Sequence, residues 1–133
     1  MDISGITQLL LGWVFKIIGL GQQARVLCHR GFLPTNTDCY FVNVTNLSLK
    51  RDLEVTHVWF ECRSQVNVLN HQRPVPRRLQ PDESWETWIE AERIPQEFRE
   101  NFHRLARVRL SNGRIIKSKL NRNVPSEGFV PGS

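Results

Sequence analysis

Hydrophobic and polar positions change their spacing once along this 133-residue chain. Ile6 to Leu20 (ITQLLLGWVFKIIGL) is almost continuously apolar. From Arg25 onward, apolar and polar residues alternate over short runs bounded by turn residues. The first pattern predicts a helix and the second a set of strands.

Within the apolar run, Gln8, Gly12, Lys16 and Gly19 recur every three or four residues. That spacing gathers them into a narrow stripe on one helical face, with Leu10, Trp13, Phe15 and Ile17 on the opposite side. Trp13 and Lys16 give the helix the layout of one lying in a membrane interface. The 15 residues make about 22 Å of helix, short of a bilayer core of about 30 Å. Asp2 precedes the run, and Leu20-Gly21-Gln22-Gln23 lacks a small-residue cleavage pattern, so a cleaved secretion signal is not expected. Leu10, Trp13, Phe15, Lys16 and Ile17 are the expected contacts with a membrane surface or with a second copy in a homo-oligomer. Packing into the domain's own core is the remaining reading. If the helix spans, Arg25 and Arg30 behind it keep the domain on the cytoplasmic side.

Alternation marks strands at Ala24–Phe32, Asp38–Asn46, Leu53–Cys62, Gln65–Leu69 and Ser84–Ala91. Leu105–Leu110 and Arg114–Leu120 flank Ser111-Asn112-Gly113, and Asn-Gly between alternating runs predicts a hairpin. His71 to Glu83 carries three prolines, which exclude a central strand and suggest an extended crossover between two sheets. Pro95 predicts a short helix over Gln96–His103. The expected fold is all-β: an immunoglobulin-like antiparallel β-sandwich of about seven strands, with an N-terminal apolar helix and one short helix before the final hairpin. Residues 1–22 form the N-terminal helix in this reading, 23–123 the sandwich domain and 124–133 a C-terminal coil.

The run CYFVNVTN…EVTHVWFE…RPVPRRLQPDESWETWI…RVRLSNGR…GFVPG resembles a group of small uncharacterised bacterial proteins. The resemblance covers roughly Arg25 to Gly132, with VTHVWFE and ESWETWI its most distinctive pieces. It implies a cytoplasmic setting, including the inner face of the cytoplasmic membrane, and carries over no activity.

Composition adds that the chain folds: 40% of residues are hydrophobic, with four Trp and seven Phe. Three cysteines (Cys28, Cys39 and Cys62) without tight spacing fit a reducing compartment and no disulfide framework. Asn43-Val44-Thr45 and Asn46-Leu47-Ser48 match the glycosylation acceptor pattern, which matters only in a secreted eukaryotic chain; a polar strand end entering a turn is the simpler reading.

Catalytic signatures do not emerge. His29, His57, His71 and His103 stand in no metal-ligand spacing, and no metal or other cofactor is expected. No nucleophile elbow, P-loop or dinucleotide fingerprint is present. The expectation is therefore a protein that is not an enzyme, with a small redox or hydrolytic enzyme built on Cys39 or His57 as the distant alternative.

Charge singles out the final hairpin. The net charge is +5, and Arg99 to Arg122 carries eight Lys or Arg against Glu100 alone. Arg107 and Arg109 share one strand face while Ala106, Val108 and Leu110 share the other; Lys117 and Lys119 alternate with Ile116, Ser118 and Leu120. Arg107, Arg109, Arg114, Lys117 and Lys119 are thus the expected binding residues for anionic headgroups or an acidic protein partner. Nucleic acid on the same face is the second reading, set back by the want of a recognition motif and of stacking aromatics. Asp82 to Glu97 carries six acidic residues against Arg93, leaving open that these carboxylates pair with the hairpin cations.

Overall fold

Two residues per side-chain period place Ala24, Val26 and Cys28 on one face of the first strand, and all three are buried. A computed structural model describes residues 23–123 of the chain. The expected N-terminal helix at 1–22 and the coil at 124–133 lie outside the described residues. In order, the strands are β1 (Ala24–Phe32), β2 (Asp38–Asn46), β3 (Leu53–Glu61), β4 (Gln65–Asn67) and β5 (Arg77–Leu79). They continue with β6 (Ser84–Glu90), β7 (Ala106–Leu110), β8 (Ile115–Lys117) and β9 (Lys119–Leu120).

One sheet runs β6-β2-β1-β9 and the other β4-β3-β7-β8, with β5 beside β3. Val26, Val42, Val44 and Ile89 from the first sheet pack with Val55, Phe60, Leu79 and Val108 from the second in one hydrophobic core. This is an all-β, sandwich-like architecture. Two strands exceed the sequence expectation: β5 forms inside the proline-rich crossover, and the predicted last strand divides at Ser118 into β8 and β9. The arrangement is also not wholly antiparallel, because β9 lies parallel to β1.

The β1–β2 and β7–β8 hairpins close in the same way. Leu33 N–H bonds Thr37 O and Asn36 N–H bonds Leu33 O; likewise Leu110 N–H bonds Arg114 O and Gly113 N–H bonds Leu110 O. This three-residue loop needs a left-handed residue before the second strand. Asn36 (φ 67°) and Gly113 (φ 87°) supply it.

The predicted helix is a 3-10 segment, Gln96–Arg104, interrupted by a non-helical Asn101; Pro95 caps it rather than opening it. Its main anchor is Phe102, which stacks on Tyr40 at 4.3 Å between ring centroids. Trp85 is a core residue, whereas Trp88 lies on the outer face of the first sheet with the Arg73 guanidinium of the crossover 6.0 Å from its ring. Phe41 occupies the same outer face, stacked between strands on His29 at 5.0 Å. Its ring passes so close to Gly31 that a Cβ there would meet Phe41 Cε2 at 2.9 Å.

Candidate functional site

The hairpin β7–β8 carries the expected cations, and its register decides which of them meet. Arg107 faces Lys117, Val108 faces Ile116 and Arg109 faces Ile115. Because Val108 points into the core, Arg107, Arg109, Ile115 and Lys117 share the outer face of the second sheet. Like charges directly opposite in a ladder repel. Arg107 relieves this by turning back on its own chain: Nη1 donates to Arg104 O at 2.7 Å and to Ala106 O at 3.0 Å.

Strand β3 extends the same face, with Trp59 opposite Arg107 and His57 opposite Arg109. Trp59 was not foreseen there. Its indole Nε1 donates to Glu61 Oε2 at 2.6 Å, and the residue is only 5% exposed. Adjacent on one strand, Trp59 and Phe60 point to opposite faces, and only packing reveals that the smaller Phe60 is the one in the core. His57 is exposed, with Nδ1 3.0 Å from Thr56 Oγ1.

Arg114 ends the turn, where its N–H donates to Asn112 Oδ1 at 3.0 Å. Lys119 departs from the expected hairpin face. It belongs to β9, paired with Leu27 in the first sheet, because the chain crosses between sheets at Ser118. Arg107, Arg109 and Lys117 therefore form a strip to which Lys119 does not belong.

Among the described residues, four ion pairs stand away from Arg109, Lys117 and Lys119. Arg30 holds Asp38 through two bonds of 2.8 Å; Arg77 pairs with Glu83 at 3.0 Å, Arg78 with Asp52 at 2.9 Å, and Arg63 with Glu97. Among the described residues, no carboxylate lies within 4.0 Å of Arg109, Lys117 or Lys119. The acidic stretch does not reach them. Glu86 and Glu90 stand on β6, in the other sheet, while Glu83 and Glu97 are already paired.

The remaining chemistry is muted. All three cysteines are free. Burial, then the charge of Glu86, pushes the Cys28 thiol well up; burial, then Glu90 and Asp38, pushes Cys39 up to about 11; burial, then Glu61, raises Cys62. Such thiols resist forming the nucleophilic thiolate. Among the described residues, no three His, Cys, Asp or Glu side chains gather where a metal ion could be held. Asn46, one of the two glycosylation-pattern asparagines, is fully buried.

The expected membrane or oligomer contacts Leu10, Trp13, Phe15, Lys16 and Ile17 lie outside the described residues. Among those described, no helix is long and apolar enough to cross a membrane. Gln23, which leads out of that segment, accepts Leu47 N–H at its carbonyl and Asn112 Nδ2 at its side chain, at 2.9 and 2.6 Å. The chain thus enters β1 at the end of the sandwich that carries the 111–114 turn and the 47–52 loop. In that loop Leu49 is 82% exposed, followed by exposed Lys50 and Arg51.

Comparison with known protein families, with curated proteins and with solved structures gives no match for this chain.

Proposed function

We propose that this protein is a non-enzymatic binding module that recognises an anionic surface through Arg107, Arg109 and Lys117. The observation that carries the reading is the charge of Arg109 and Lys117, uncompensated by any carboxylate within 4.0 Å among the described residues. Exposed, unpaired cations on one sheet face attract anionic partners and speed their encounter.

The anionic surface in this proposal is a membrane, met at the cytoplasmic face and reinforced by the apolar segment 1–22. Support comes from the entry point of β1: Gln23 sits beside the turn and the loop that present Arg114, Leu49, Lys50 and Arg51. An apolar tip flanked by cations suits a headgroup layer. We further propose that the sandwich is of the immunoglobulin-like kind. The strand order supports it: β1, β2 and β6 correspond to strands A, B and E, and β3, β7 and β8 to C, F and G.

Nucleic acid is the second reading. Exposed His57 beside Arg109 favours it, but Trp59, the larger ring on the strip, is too buried to stack on a base.

Flotation of the full-length protein on neutral and anionic vesicles tests the proposal. Anionic vesicles should carry the protein up, and Arg109→Glu with Lys117→Glu should abolish the preference for them. A version beginning at Gln22 should float more weakly. Indifference of flotation to lipid charge, or to the paired substitution, would overturn the membrane reading. Tight binding of single-stranded DNA that collapses with salt would favour nucleic acid instead.

A further inference from the structure

Where the chain leaves β8 for β9, the side of the sandwich holds a groove of about 570 Å³. Leu27 and Leu120 contribute apolar surface to it, and Arg104, Lys117, Lys119 and Arg122 its cations, with His103 beside them. No carboxylate lines it. We propose that this groove binds a phosphate ester, with the four cations holding the phosphate oxygens and the two leucines receiving the apolar part of the ester.

Charge is the first argument. Four cations gathered around one concavity raise its potential, and low-dielectric walls focus the field. Among the described residues, none of the four has a carboxylate within 4.0 Å. A carboxylate ligand would bring a single charge. A phosphomonoester brings about 1.5 to 2 negative charges at pH 7 and three acceptor oxygens. Size agrees, since small-ligand sites span about 300 to 1,000 Å³.

Position is the second argument, because tethered backbone presents these side chains. Arg104 closes the 3-10 segment, and its carbonyl is held by Arg107 Nη1 at 2.7 Å. Between Lys117 and Lys119, Ser118 Oγ donates to His103 O at 2.7 Å and accepts Ala106 N–H at 3.1 Å. Both functions of that hydroxyl are used, so Ser118 shapes the groove and does not hold the ligand. Asn121 N–H donates to Cys28 O at 2.9 Å and fixes the chain just before Arg122. The backbone is thus held before binding, and only the exposed side chains remain to be ordered.

The site goes beyond the strip described above. Arg109 does not line the groove, Lys119 and Arg122 do not belong to the strip, and Lys117 borders both. The ester could be a free metabolite or a lipid headgroup, and the experiment separates the two.

Full-length protein is titrated by calorimetry with inorganic phosphate and with n-butyl phosphate, then mixed with phosphatidic acid or phosphatidylglycerol vesicles of matched surface charge. Butyl phosphate should bind saturably. Lys119→Gln and Arg122→Gln should each weaken it about tenfold, the loss of one charge-assisted hydrogen bond, while Arg93→Gln, which removes an exposed cation outside both the groove and the strip, leaves it unchanged. A preference for phosphatidic acid vesicles that Lys119→Gln removes identifies the headgroup as the source; saturable binding without that preference identifies a free ester. No saturable binding of phosphate or its ester overturns the site. So does binding of oligoglutamate in its place. Equal weakening by Arg93→Gln also overturns the groove, since loss of any surface cation would then suffice.

Discussion

Lys117 and Lys119 stand two residues apart and belong to different sheets, Lys117 opposite Arg107 and Lys119 opposite Leu27. The residue between them makes the crossing. Ser118 N–H donates to Ala106 O at 3.0 Å while its hydroxyl links Ala106 N–H and His103 O. Ser118→Ala leaves the fully buried Ala106 N–H without that partner. The expected cost is about 1–3 kcal/mol, read as a lower urea midpoint. An unchanged midpoint would show that the hydroxyl does not hold the crossing.

Asn46 ties three segments together beside the 47–52 loop. Its buried Nδ2 approaches Arg51 O at 2.8 Å, Gln80 O at 3.1 Å and Leu79 O at 3.2 Å, and its Oδ1 accepts Ser48 N–H at 3.0 Å. Asn46→Ala removes these bonds at a cost of about 2 kcal/mol or more. Asn46→Asp does worse at neutral pH, because a buried carboxylate then faces three carbonyl oxygens. Denaturation at acidic pH should narrow the gap between the two variants, since a protonated acid can donate again. Equal stability of the two variants at neutral pH would contradict this geometry.

The thiols should separate by access. Cys62 is half-buried, whereas Cys28 and Cys39 are fully buried and all three are held in the thiol form by burial. A disulfide reagent is expected to modify Cys62 first, faster as pH rises, and the other two at the rate at which the fold opens. Mass spectrometry of the labelled peptides gives the order, and simultaneous labelling of all three in folded protein would refute it.

Acidification should weaken the fold through His29. The residue is 9% exposed, its ring stacked on Phe41, and its buried Nδ1 has no hydrogen-bond partner among the described residues. Burial holds the imidazole below its ordinary value, so the unfolded chain binds the proton more readily. Stability from this group is complete above about pH 6.5 and falls as the pH drops toward the lowered folded value. His103, lowered by burial and then by Arg104, adds in the same direction. Glu86, raised by burial, works oppositely, since the folded state retains its proton more readily. His29→Phe should flatten the decline of the urea midpoint between neutral and mildly acidic pH; an identical slope would assign the decline elsewhere.

Period-two alternation made β1, β2, β3, β6 and β7 legible, because alternate positions of each enter the core. Asn112-Gly113 announced its hairpin because a left-handed residue is needed at that spot, and Gly113 has the required φ of 87°. Two cations of the binding strip, Arg107 and Arg109, could be placed on one face for the same reason. What escaped was the division at Ser118. The charged positions keep their period of two from Ile116 through Leu120, and the local mark of the crossing is Ser118, a polar residue where alternation calls for an apolar one; the crossing is set by where β7 ends and where β1 offers an edge. The groove cations come together only through that crossing, and Asn46 meets Leu79 and Gln80 only in the fold. Local spacing determines which way a side chain points from its strand, whereas tertiary packing determines what it meets there.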